Sequence, residues 1–260
     1  MLNFIFNILS IVLLVVIFYY AIQNLQHEGF INPPYSNIQF LTAEETKEFL
    51  LNDPDEYVHT LNTWDLIARK VSIFQDYLHK ISQATLSFSD EQKQRLSNAA
   101  KEADKFFNNT RIEGIDCAQI ASIPWVLALT RDKEYEDGLP HTRANIIFIS
   151  TSLDQNNDKL VRTLIHEKIH IYQRLNPQDI MSFLSFHGYY RWKQRFGVPR
   201  IRSNPDLDAW IYFNPVSKKP MVAYYSSDTP MNIDDVIIDS AVSEHPFEEL
   251  AYNIAQKYKA

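Results

Sequence analysis

The sequence predicts an α+β domain with a helical N-terminal part, preceded by a single membrane-spanning helix. Three observations predict it. Apolar residues recur at helical spacing through much of 42–107 and 159–175. Short β-branched or aromatic runs bounded by turn residues lie at 125–129, 145–150, 210–213 and 221–225, and the chain opens on a long uncharged apolar run.

That run comes first. From Leu2 to Ile22 no residue is charged, and only Asn3, Asn7 and Ser10 interrupt the apolar sequence. As a helix rising about 1.5 Å per residue it reaches roughly 31 Å, the thickness of a bilayer hydrocarbon core. It has no basic n-region and no small-x-small cleavage site, and Tyr19-Tyr20 close it as an interfacial aromatic pair. The expectation is an uncleaved anchor over 1–22 and a single-pass membrane location. The first lysine after the run is Lys47, so the positive-inside rule leaves the side of the membrane open. Residues 23–37, with Gly29, Pro33 and Pro34, read as a linker, and 38–260 as one domain.

Within that domain Thr42-Ala43-Glu44-Glu45 is a capping box opening a helix through Leu51. Thr63 to Ile81, with Leu66, Ile67, Val71, Phe74, Leu78 and Ile81 at helical spacing, reads as one helix, and Ser89 caps a third through about Phe107. Trp125–Leu129 and Asn145–Ser150 read as strands around a loop at 134–140. Asp158 is expected to cap a helix from Lys159 to Leu175, ended by Asn176-Pro177. The aromatic stretch from Met181 to Trp192 fits a core stripe, or a surface that faces a membrane or grips a substrate. Trp210–Phe213 and Met221–Tyr225 are expected to pair through Asn214-Pro215 and the Lys218-Lys219-Pro220 turn. A last helix starts near Pro246, with Phe247, Leu250, Ala251 and Ile254 as its apolar stripe.

Composition removes several functions. The chain has 260 residues, 45% of them hydrophobic and 22% charged, with a formal net charge of −7. Such a chain lacks the basic field with which nucleic-acid binders collect phosphates, so no nucleic-acid partner is expected. Cys117 is the sole cysteine, which forbids an internal disulfide and makes a packed thiol the simplest reading. Five glycines and no phosphate-loop or dinucleotide fingerprint argue against nucleotide binding.

The chemistry concentrates in His166-Glu167-Lys168-Ile169-His170, in the middle of a predicted helix. Histidines four apart share a helical face about 6 Å apart at Cβ, so both rings can converge on one zinc ion. Glu167 lies beside the coordination position left to water, where a carboxylate can take a proton and pass it to a leaving amine. A catalytic zinc of this type wants a third protein ligand. The residues leave the choice among Glu248, Glu249, His245, Asp206 and Asp208, with helix capping as the simpler role for His245 and an Asp-rich turn for the last two.

The motif, followed by Glu248-Glu249-Leu250-Ala251, resembles the zincin superfamily of metallopeptidases, in its gluzincin branch. The resemblance implies a zincin-like domain, a Zn²⁺ cofactor, a peptide or protein substrate, and the ligand set His166, His170 and Glu248, with Glu167 as general base; the alternatives are a zincin-like binding or scaffold protein with little turnover, against which an intact Glu167 argues, and a zinc hydrolase of a non-peptide amide or ester. It also matches Asn145–Ser150 to the edge strand that in zincins lines the cleft and pairs with an extended substrate. It covers those short segments only, and the spacer between His170 and Glu248 is long. For the group that stabilises the oxyanion, Tyr252, Tyr224, Tyr225, His187 and His141 are all candidates, His141 lying in the Gly138–Arg143 segment before that strand.

Overall fold

The computed structural model describes residues 37–153, 156–240 and 243–259. The anchor predicted over 1–22 and the linker up to residue 36 lie outside the described residues. Among the described residues no helix is long and apolar enough to cross a membrane.

The fold is mixed α+β. Its main sheet holds β1 (Ile38–Phe40), β2 (Thr85–Leu86), β3 (Trp125–Thr130), β4 (His141–Arg143) and β5 (Ile146–Ser150), in the order β1-β3-β5-β4 with β2 on the far end of β3. β3 runs parallel to both β1 and β5, and β4 returns antiparallel to β5. Every residue of β3 and β5 is buried, as expected of parallel strands covered on both faces, which read as unbroken apolar runs. Alternate side chains divide the core. Trp125, Leu127, Leu129, Ile147 and Ile149 enter one cluster, and Val126, Ala128, Ile146 and Phe148 the other.

The second cluster is covered by α1 (Ala43–Asn52) and α3 (Phe74–Ser82), which contribute Leu50, Leu78 and Ile81. The capping box of α1 forms as expected between Thr42 and Glu45. The single helix expected over 63–81 does not form. It divides into α2 (Thr63–Ala68) and α3, with Lys70 in the left-handed region at φ 61°. The break follows from burial of Arg69, whose guanidinium pairs with Asp65 and Glu136 and donates to the Tyr57 hydroxyl. Two turns of apolar spacing do not outweigh a buried arginine that must find its carboxylates.

The first cluster is covered by α4 (Asp90–Asn109), α5 (Cys117–Ser122), α6 (Asn157–Leu175) and α8 (Pro246–Ala255), and Cys117 is a buried free thiol within it. The cap of α6 is Asn156, whose side chain accepts from the Lys159 amide, so the helix starts earlier than an Asp158 cap allows. Pro177 opens α7 (Pro177–Phe186) straight after α6. A separate sheet joins β6 (Tyr190–Gln194), β7 (Trp210–Phe213) and β8 (Pro220–Met221), while β9 (Ala223–Tyr225) pairs with β10 (Val236–Ile238). The expected pairing of 210–213 with 221–225 therefore holds only at Met221, and the ladder runs back into the expected turn at Pro220. Beyond them Ala223–Tyr225 has a partner from a later segment.

Candidate metal centre

Helix α6 carries chemistry on one side and core on the other. Leu160, Val161, Leu164 and Ile165 are fully buried in the main core. Lys168 also points inward: its ammonium bonds Asp104 and the Ala121 carbonyl, and lies 4.1 Å from the centre of the Trp125 ring. Burial pulls its pKa down to about 8 against the opposing attraction of Asp104.

On the other side, His166 and His170 turn their Nε2 atoms toward each other at 2.9 Å. Glu248, on the first turn of α8, brings Oε2 to 3.2 Å from His166 Nε2 and 3.6 Å from His170 Nε2. Two imidazoles and one carboxylate thus converge on one point, a donor set that could hold a metal ion. Ala251 allows the approach. It is fully buried, one turn after Glu248, in the same apolar cluster as Leu164 and Ile165.

Two residues passed over in the sequence orient this set. Gln173 accepts from His170 Nδ1 at 2.8 Å through Oε1 and donates Nε2 to the Phe247 carbonyl at 3.1 Å. In the neutral ring that a metal requires, this bond holds the proton at Nδ1 and leaves the Nε2 lone pair for the convergence point. Asn204 donates to Glu248 Oε1 and to Glu244 Oε1, each at 2.9 Å, while its Oδ1 accepts from the Asp206 amide. That leaves Glu248 Oε2 for the histidines. The usable signal for Gln173 was its position one turn after His170; Asn204 had none, since its partners lie 40 and 44 residues away.

Comparison with protein-family models, with curated proteins and with solved structures gives no match. The site must be read from its own chemistry.

Its electrostatics suit a cation. Burial first, then the charges of Asp206 and Glu248, push Glu167 well above the usual carboxylate range. Burial also opposes protonation of His170, but Asp206, Glu248 and Glu167 outweigh it and push the ring up to about 10. Glu167 Oε2 is buried with no hydrogen-bond partner among the described residues. Three carboxylates around two imidazoles, one of them unpartnered, concentrate negative potential where a metal would neutralise it.

The centre is accessible from one side. The side chains of His166 and Glu248 are each 22% exposed while that of His170 is fully buried. A cavity of about 530 Å³ opens there, lined among others by His141, His166, Asn204, Asp206, Glu248 and Tyr252.

The remaining candidates divide clearly. His245 is the N-cap of α8: Nδ1 accepts from the Phe247 amide and Nε2 lies 3.2 Å from Asp208, away from the metal point. Asp208 takes that ring, the Trp210 amide and the Tyr212 hydroxyl, so its role is to hold loop and helix together. Glu249 lines the cavity but lies outside the converging set. Asp206 borders the site, but its Oδ1 accepts from both the amide and the hydroxyl of Thr142. Of the oxyanion candidates, Tyr225 donates to Asp65, Tyr224 packs beside Ile201 and Val222, and His187 bonds its own helix at Phe183. Only His141 and Tyr252 line the cavity. His141 gives its Nδ1 proton to the Leu139 carbonyl, and burial lowers its pKa, so Nε2 is an acceptor and not an oxyanion donor.

The edge-strand expectation is corrected. Ile146–Ser150 is internal, flanked by β3 and β4, and the edge belongs to His141–Arg143. There Asp206 already takes the Thr142 amide, and Arg174 donates to the Thr142 hydroxyl and to the Ala144 and Pro205 carbonyls. A substrate adding a strand at Thr142 would have to displace that carboxylate.

Proposed function

We propose that this chain is a zinc-dependent hydrolase acting on peptide bonds, with a zincin-like domain tethered to a membrane by 1–22. The observation that carries the reading is the convergence of His166, His170 and Glu248, the first and last of which line an open cavity, with the adjacent Glu167 Oε2 buried and without a hydrogen-bond partner among the described residues. The three edges, 2.9, 3.2 and 3.6 Å, bracket the roughly 3.3 Å between ligand atoms at tetrahedral angles around zinc with bonds of about 2.0 to 2.1 Å. Two nitrogens and one carboxylate oxygen, leaving a fourth position, are the donor set of a catalytic and not a structural zinc.

Bound zinc would lower the pKa of a coordinated water toward about 7 and polarise a substrate carbonyl. Glu167, whose Oε2 is buried with no hydrogen-bond partner among the described residues, is the carboxylate assigned to accept the proton of the attacking water and return it to the leaving nitrogen. Of the oxyanion candidates, Tyr252, 58% exposed at the cavity, keeps a hydroxyl that can donate to a developing oxyanion.

A second reading, hydrolysis of a non-peptide amide or ester, is favoured by one observation: the backbone edge that would align an extended peptide is occupied by Asp206 at Thr142. The test begins with metal content, where the purified chain should hold one zinc that His166→Ala loses. Glu167→Gln should keep the zinc and lose about 10²-fold or more of turnover on a peptide or ester panel. Unchanged turnover with zinc in place would remove Glu167 from the mechanism, and hydrolysis confined to esters would decide for the second reading.

A further inference from the structure

The sheet of β6, β7 and β8 has a charge pattern opposite to that of the chain. From Phe186 to Met221 there are seven lysines and arginines against two aspartates, in a protein whose formal net charge is −7. Both aspartates face inward, Asp206 to Thr142 and Asp208 to His245 and Tyr212. Of the seven cations Arg195 is buried, Arg191 pairs with Asp208 and Arg202 with Glu244 and Asp234, so the positive groups facing outward are Lys193, Arg200, Lys218 and Lys219, with Asp228 3.9 Å from Arg200 and Asp239 3.9 Å from Lys219.

The same surface exposes apolar side chains together. Phe186 is 74% exposed, Trp192 46% and Val216 88%. Tyr190, also exposed, stacks on Phe213 at 5.0 Å and 11°, and Trp192 meets the same ring edge-on at 5.3 Å. The turn at Gly188, with positive φ, lies against Pro215, so the end of α7 and the β7–β8 turn are neighbours. The result is one patch of aromatic and aliphatic groups bordered by exposed Lys193, Lys218 and Lys219. Arg191, between the two aromatics in sequence, turns the other way to the Tyr212 hydroxyl and Asp208.

We propose that this face docks onto an anionic lipid bilayer, with the Val216 turn and the aromatic rings at headgroup depth and the lysines against acidic headgroups. Tyrosine and tryptophan favour that depth because one end of each ring is apolar and the other hydrogen-bonds, and each lysine near an anionic surface adds attraction. Single-stranded nucleic acid, the other partner drawn to lysines and aromatics, needs open ring faces for its bases. Here Phe213 covers one face of Tyr190, and the Lys193 ammonium lies 4.4 Å from the Trp192 ring centre. An exposed aliphatic turn tip suits lipid and offers a base nothing. The proposal does not depend on the metal reading.

The test uses the full chain carrying Val216→Cys labelled with an environment-sensitive fluorophore, Cys117 being buried. A local label is needed because the apolar run at 1–22 would by itself hold the chain on vesicles. With phosphatidylcholine vesicles containing about 30 mol % phosphatidylserine, the emission should shift to the blue and be quenched by doxyl-labelled lipid. Phosphatidylcholine alone should give a much smaller effect, and K218E/K219E should cut the quenched fraction severalfold with unchanged circular dichroism. A label that stays water-like on anionic vesicles overturns the proposal. So does a blue shift produced by a single-stranded oligonucleotide and not by lipid.

Discussion

Replacing Gln173 by Leu tests whether the metal centre depends on a proton held at one nitrogen. Gln173 is 1% exposed, and its Oε1 is the acceptor 2.8 Å from His170 Nδ1. Leucine fills similar space without an acceptor, so the Nδ1–H is left buried and unpaired, at a cost of about 1–3 kcal/mol to the state in which Nε2 is free to bind metal. The Phe247 carbonyl loses the Gln173 donor but keeps its helical role inside α8. Loss of an outer partner of this kind lowers metal affinity by about 10- to 100-fold, equivalent to about 1.4–2.7 kcal/mol. Gln173→Glu, which keeps an acceptor opposite Nδ1, should bind zinc more tightly than Gln173→Leu. Competition against a chromophoric chelator measures all three proteins, and circular dichroism checks that they are folded. If Gln173→Leu holds zinc as tightly as the parent, the orienting role of Gln173 is wrong.

Glu248→Ala should lose zinc in the same titration, while Glu249→Ala and Asp208→Ala keep it; retention by Glu248→Ala would break the ligand assignment. His245→Ala should also keep zinc but lose about 0.5–2 kcal/mol in denaturant unfolding through the missing cap of α8. Asp104→Ala strands the buried Lys168 ammonium under Trp125 and should cost about 3–5 kcal/mol in urea unfolding of the metal-free protein, a loss that the double change Asp104→Ala with Lys168→Met, which removes both charges, should not reach. Asp53 gives a pH signature: burial raises its pKa, but His59, the Val58 and His59 amides and Arg143 outweigh burial and hold it below the ordinary 3.8. Its contribution is complete above that value and is lost as pH falls through the lower folded one. The stability gap between the parent and Asp53→Asn, followed by thermal unfolding, should therefore be widest above about pH 4 and close on acidification. A gap that widens instead would reverse the sign argued here.

How much of this was legible in the sequence depends on how far each interaction reaches along the chain. The caps of α1 and α4, the buried strands β3 and β5, and the shared face of His166 and His170 are set within a few residues, by local bonds and by repeats of two or four. Glu248 was named through resemblance, and α8 brings it within 3.6 Å of both rings. Other features had no local signal. The break at Lys70 follows from Arg69 seeking Glu136, 67 residues on. The blocked edge at Thr142 depends on Asp206, 64 residues away, and the free oxygen of Glu248 on Asn204, 44 away. Buried polar groups must find partners wherever the packed chain brings them, and only the tertiary structure decides which partner each one meets.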